Sequence, residues 1–148
     1  MKLRSATLED VPVLMALETR AVTAAHWTTE QYQAVFASGE TPRVALVLED
    51  CGTIQGFLIA RATGPDWEIE NIAVAGPARR RGLGTRLLGE FLKTAHTRGA
   101  AAVFLEVRES NSAARRLYEK WAFIESGRRS GYYRDPSEAA ITYRLDFS

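Results

Sequence analysis

The sequence predicts a single α/β (α+β) domain over residues 1–148, with a central mixed β-sheet of about seven strands flanked by about four helices. Three observations predict it. Strand patterns over 42–49, 54–62 and 67–74 follow one another across short turn signals, as in an antiparallel meander. The run at 67–74 then leads through a glycine-bearing loop into a helix-period stretch and on to a second apolar run at 101–107, which makes a βαβ unit with parallel strands. The 148 residues hold enough apolar side chains, 46%, for one sizeable core.

Each element has its own reason. Lys2 to Ala6 alternates as a short first strand. Thr7 reads as an N-cap, with Glu9 and Asp10 in the first turn and Pro12 tolerated early; Val11, Leu14, Leu17 and Ala21 then recur at helical spacing to about Ala25. Thr28 and Gln31 make a capping box for a second helix through about Ala37. Asp50-Cys51-Gly52-Thr53 turns one hairpin and Thr63-Gly64-Pro65-Asp66 the next. Leu83, Leu87, Leu88, Phe91, Leu92 and Ala95 share one face of a third helix, which Arg98-Gly99 closes. Ala101 to Val107 is continuously apolar, as a central buried strand is. Ser110-Asn111-Ser112 caps a fourth helix. Phe123 to Gly127 is a strand, Arg128 to Pro136 a polar aromatic loop or strand extension, and Glu138 to Phe147 the last strand.

The bulk properties narrow the class. A net charge of +1 disfavours a protein that coats nucleic acid, although arginines cluster at 79–81, 115–116 and 128–129. Cys51 is the only cysteine, which excludes an internal disulfide and suits a cytoplasmic home. His26 and His96 have no metal-ligand spacing, so no metal is expected. No apolar run reaches a membrane span, and no signal-peptide pattern opens the chain. The expectation is a protein with no membrane or nucleic-acid partner, a monomer or weak dimer.

The chemistry concentrates in 71–88. The strand Asn71-Ile72-Ala73-Val74 breaks at Gly76-Pro77 and passes Arg79-Arg80-Arg81-Gly82-Leu83-Gly84-Thr85 into the third helix. Unpartnered N–H groups at a helix start, the helix dipole, glycines and arginines together suit a phosphate-containing ligand. A P-loop is excluded, because no Lys-Ser or Lys-Thr follows a suitable glycine pair. A dinucleotide fingerprint lacks its third glycine, whose place Leu87 takes, and an antiparallel meander precedes the loop.

A third reading is a resemblance. Arg79-x-x-Gly82-x-Gly84 after Asn71-Ile72-Ala73-Val74 resembles the acetyl-CoA signature of the GNAT acetyltransferase superfamily, and the element order matches that fold across the chain. Leu105-Glu106-Val107-Arg108-x-Ser110-Asn111-x-x-Ala114 and Leu117-Tyr118-Glu119-Lys120-x-Ala122-Phe123 are similar to the RimI-like branch, the ribosomal-protein-alanine N-acetyltransferases. The resemblance implies an acetyl-CoA-dependent transfer of acetyl to a primary amine, expected to be a protein N-terminal α-amine. A small-molecule amine or a lysine side chain is the alternative acceptor. A non-catalytic acyl-CoA-binding module is the alternative class, against which the presence of both Glu106 and Tyr118 argues.

The resemblance also implies roles. The backbone of Ile72, Ala73 and Val74 pairs with the pantetheine arm, and the region of Arg79, Arg80, Arg81, Gly82, Leu83, Gly84 and Thr85 wraps the diphosphate. Asn111 contacts CoA, Glu106 is the general base and Tyr118 the general acid; a strand N–H, that of Val74, faces the developing oxyanion. Each also has a plain structural alternative: a solvated strand-end acid, a core tyrosine, a helix cap, a solvated basic loop. The acceptor is expected between the first two helices and the last hairpin, near His26, Trp27, Glu68, Glu70, Tyr132 and Tyr133. Acids there would attract a cationic amine and aromatics would frame a peptide. The sequence departs from the branch at Ala75-Gly76-Pro77, in the short loop after Tyr133, and at Ala139, where an acid often precedes the last strand.

Overall fold

A computed structural model describes residues 1–21, 26–37, 39, 41–76, 82–133 and 137–147. The strands are β1 (Lys2–Ser5), β2 (Arg43–Asp50), β3 (Thr53–Thr63), β4 (Asp66–Val74), β5 (Ala102–Arg108), β6 (Ile124–Tyr133) and β7 (Glu138–Asp146). The helices are α1 (Val11–Arg20), α2 (Thr29–Val35), α3 (Leu83–Thr97) and α4 (Ser112–Lys120), with a 3₁₀ turn at Leu8–Asp10. All seven strands form one mixed sheet in the order β1-β2-β3-β4-β5-β7-β6, in which only β4 and β5 run parallel.

The two faces of the sheet carry two cores. Leu87, Leu88 and Phe91 of α3 pack on Leu58, Trp67, Val103 and Leu105. Leu14 and Leu17 of α1 and Tyr32 of α2 pack on Val47, Phe57, Ile59 and Ala73. The helical stripe expected for α3 is buried at all six positions. The capping box at Thr28 forms: Gln31 N–H donates to Thr28 Oγ1 at 3.2 Å, and Thr28 N–H donates to Gln31 Oε1 at 2.7 Å.

Three expected boundaries move. Helix α1 ends at Arg20, because Ala21 is already extended with φ −96° and ψ 103°. Helix α2 stops at Val35. Strand β6 runs on through Arg128 to Tyr133, pairing along β7 with two register shifts. That segment is an edge strand exposed almost throughout, so no apolar alternation marks it.

One irregularity sets up the site. In the β3–β4 ladder Ala60 pairs with Ile69 and Ile59 with Asn71, so Glu70 is an extra residue, a β-bulge. Burial keeps the same parity along β4, but the face changes. Trp67 and Ile69 belong to the α3 core, Ala73 belongs to the α1–α2 core, and Ile72 and Val74 pack toward α3. A second irregularity is larger. The β4–β5 ladder holds only Asp66, Trp67 and Glu68 against Ala102, Val103 and Phe104. Beyond Glu68 the two strands part and leave a wedge in the middle of the sheet. Among the described residues no helix is long and apolar enough to cross a membrane.

Candidate active site

The wedge opens into a cleft of about 570 Å³, walled by β4, β5, the start of α3, α4, and the Tyr132-Tyr133 end of β6. Beyond Glu68 strand β4 contributes an edge that β5 does not pair with. Ala75 N–H donates to Gln55 O on β3 at 2.8 Å. Backbone polar groups alternate sides along a strand, so Ile72 and Val74 direct theirs the other way, into the wedge. An extended chain bearing amide groups fits such an edge by strand addition.

The start of α3 forms the second wall. Gly82 is its N-cap residue with φ +72°, a left-handed conformation that glycine adopts without strain. Gly84 and Thr85 also border the cleft. A Cβ on Gly84 would sit 3.4 Å from Leu117 and 3.9 Å from Val74, two further lining residues, so glycine here leaves room between them. Leu83 is different: its side chain is buried in the α3 core, and only its backbone faces the helix start. Arg79, Arg80 and Arg81 lie outside the described residues.

Asn111 caps α4 and also borders the cleft; its side-chain oxygen accepts Ala114 N–H at 3.1 Å. Glu106 stands on β5 opposite Thr142 with its side chain mostly buried. No hydrogen bond reaches its buried Oε2 among the described residues, and Arg129 Nε lies 3.5 Å away as an ion pair. Tyr118 on α4 is buried, its ring 5.7 Å from that of Phe123 and 6.0 Å from that of Tyr143. Burial, with a smaller push from Tyr133, raises its phenol well above the ordinary tyrosine range, so it stays protonated at any working pH. Tyr118 is a core tyrosine that also lines the cleft. Glu106 and Tyr118 thus border one space.

The acceptor candidates line the same cleft. His26 and Trp27 border the cleft. Trp27 also packs 5.2 Å from the Tyr32 ring, as its structural alternative required. Glu68 and Glu70 line the cleft too, but both are answered by arginines: Arg61 binds Glu68 at 3.0 Å, and Arg43 binds Glu70 at 3.2 Å. They do not present the bare pair of charges that the sequence suggested. Tyr132 is half-exposed and meets the Tyr133 ring edge-on at 5.2 Å. Burial pushes the Tyr133 phenol up to about 12. Arg108, which sequence reasoning left without a role, lies 4.4 Å over the Tyr133 ring and bonds Glu138 at 3.2 Å. Glu138 therefore supplies an acid at the start of β7, next to Ala139, which is buried. In the other arginine clusters Arg115 bonds Tyr143 and pairs with Glu125, Arg128 pairs with Glu109, and Arg129 pairs with Glu106.

The sheet is thus splayed at its centre, with a strand edge, a helix start, Glu106 and Tyr118 around the gap. A model of the Acetyltransferase (GNAT) family matches residues 12–123, and the chain belongs to that family of acyltransferases. It is 35% identical over 142 residues to the [Ribosomal protein bS18]-alanine N-acetyltransferase of Escherichia coli K12, covering 94% of this chain and 93% of the relative. It is 29% identical over 138 residues to a putative enzyme of the same description from Bacillus subtilis, covering 93% and 90%. The crystal structure of the ribosomal-protein-S18-alanine N-acetyltransferase from Escherichia coli superposes with a TM-score of 0.89 at 33% identity, over 99% of this chain and 94% of that one.

Proposed function

We propose that the protein transfers acetyl from acetyl-CoA to the α-amine of a protein N-terminus, of the ribosomal-protein-alanine kind. The observation that carries the reading is the pairing of Glu106 and Tyr118 on one cleft, beside the open edge of β4. The choice of a protein N-terminus is supported by similarity along nearly the whole of a relative that carries that description. The Tyr132-Tyr133 pair at the cleft mouth suits a peptide frame.

Acetyl-CoA brings a thioester that an amine can attack. The edge of Ile72 and Val74 holds an extended arm by strand addition. The N–H groups at Gly82 to Thr85 hold a diphosphate, and Arg79, Arg80 and Arg81 just before them in the sequence add positive charge. Asn111 retains its amide nitrogen for a ligand contact while its oxygen caps α4. Glu106 takes a proton from the amine, directly or through one water. The N–H of Val74 stabilises charge on the carbonyl oxygen, and Tyr118 gives its proton to the departing sulfur. The exposed single cysteine, Cys51, suits action in the cytoplasm.

The test is incubation with acetyl-CoA and a panel of free N-terminal peptides, N-terminally blocked lysine peptides and small amines, following free thiol and product mass. Turnover with free N-termini and not with blocked peptides is expected. Turnover confined to lysine or small amines overturns the acceptor. No turnover despite CoA binding overturns catalysis in favour of a binding module. Glu106→Gln should slow the wild-type reaction by ~10²–10⁴-fold; a full rate at neutral pH removes Glu106 as the base.

A further inference from the structure

Glu18 is buried on α1 without a cation beside it among the described residues. One oxygen, Oε1, accepts three hydrogen bonds from three elements. Trp27 N–H donates at 2.9 Å, the Tyr32 hydroxyl at 3.0 Å and Asn71 Nδ2 at 3.2 Å. Asn71 Nδ2 also donates to the Tyr32 hydroxyl at 3.0 Å. Asn71 Nδ2 therefore faces two oxygens, one of Glu18 and one of Tyr32. Turning the amide over would set its oxygen against a buried carboxylate, so the orientation is fixed.

The fixed amide leaves Oδ1 over. That oxygen is buried and has no hydrogen-bond partner among the described residues, while Asn71 borders the cleft one residue before Ile72. Buried carbonyl oxygens are rarely left unpaired, and an oxygen of this kind can only accept. What fits it is a ligand N–H. The Glu18 charge, one amide away in a low-dielectric setting, favours that N–H when it belongs to a cationic or polarised amine. The bulge at Glu70 makes this possible: the extra residue carries Asn71 across to the α1–α2 face, where Glu18, Tyr32 and Trp27 are.

We propose that Asn71 Oδ1 accepts a hydrogen bond from the amine of the acceptor, and that Glu18 is the positioning residue that holds it in that orientation. This rests on the N-acetyltransferase reading above. The carboxylate that orients Asn71 also fixes the backbone of Trp27, so one buried charge organises two parts of the acceptor's side of the cleft.

The experiment compares wild type with N71L and N71A, using an acceptor peptide with a free N-terminal alanine and measuring CoA affinity by calorimetry. The expected result is an acceptor KM raised ~10–100-fold, the usual loss for a hydrogen bond to a charged group, with CoA Kd within about twofold. A merely structural role would weaken CoA and acceptor together, and that outcome overturns the assignment, as does an unchanged acceptor KM. Should neither variant fold, the side-chain amide resonances of Asn71 in ¹⁵N-labelled wild type decide: they shift on adding acceptor peptide to the CoA complex, and no shift overturns the proposal. Wild type that binds CoA and acetylates no amine sinks the reading beneath it. Active wild type with N71L at unchanged acceptor KM sinks the Asn71 assignment alone.

Discussion

Tyr118→Phe removes one oxygen and keeps the ring that packs 5.7 Å from Phe123 and 6.0 Å from Tyr143. The hydroxyl makes no hydrogen bond to a described residue, so its loss leaves no buried partner orphaned. The fold should lose less than ~1 kcal/mol. If the hydroxyl protonates the leaving sulfur, kcat should fall by ~10²–10⁴-fold, which is about 2.7–5.4 kcal/mol on the barrier. The pH profile adds a sign. The neutral phenol is the working form, and burial moves its titration upward from the ordinary value near ~10. Wild-type kcat should therefore show no alkaline decline from this group through about pH 10. The assay is thiol release at saturating substrates from about pH 6 to 10, with a thermal melt of each variant as the control for folding. A rate within threefold of wild type refutes the acid role. An alkaline limb near ~pH 9 that disappears in Y118F shows a phenol titrating low and refutes the account of its environment.

Three further outcomes follow from other contacts. Gly84→Val fills the space between Leu117 and Val74; it should weaken CoA binding at least ~10-fold while costing the fold ~1–2 kcal/mol, and calorimetry showing unchanged CoA affinity counts against the placement. Gly89→Ala sets a methyl 3.0 Å from the Trp121 ring, so a loss of ~1–2 kcal/mol in denaturant melts is expected even after the helix-propensity gain, whereas a higher Tm contradicts it. Arg4 bonds Asp10 at 2.8 Å and lowers its carboxyl from 3.8 to about 2. A depressed acid stabilises the fold above its unfolded pKa and loses that contribution as pH falls through the folded value. Asp10→Asn should therefore cost ~1 kcal/mol at pH 7 after solvent screening and nothing below about pH 2, and an equal cost at both pH values argues against the ion pair.

Much of this was readable from residue order. The six apolar positions of α3 identify its buried face without any tertiary information, and the Thr28–Gln31 box is a local device that forms wherever the helix does. The cleft residues on β4, β5 and α4 were legible because three segments keep family spacing. What escaped depends on contacts between distant segments. No local pattern distinguishes Glu18 from a solvated helix acid; its burial comes from Tyr32, Trp27 and Asn71 arriving together. The bulge at Glu70 was hidden because burial still alternates along β4 while the face changes. Arg61 and Arg43 cross from neighbouring strands to neutralise Glu68 and Glu70, which strand periodicity cannot foresee. Leu83 was read both as part of the ligand loop and as the first position of the α3 stripe, and its side chain takes the stripe position.

The short β4–β5 ladder has a mechanical meaning. Strands β1 to β4 and strands β5, β7 and β6 are two leaves bound along a spine of three residue pairs, with α3 as the strap between them. A ligand seated in the wedge touches both leaves and stands in for the missing rungs. Its concentration then sets how firmly the leaves are joined: at a hundredfold excess over Kd the gain is ~2.7 kcal/mol. An extended ligand seated there acts as a seasonal strand of the sheet, and the backbone amide of Ile72 should exchange its hydrogen fastest when that strand has left.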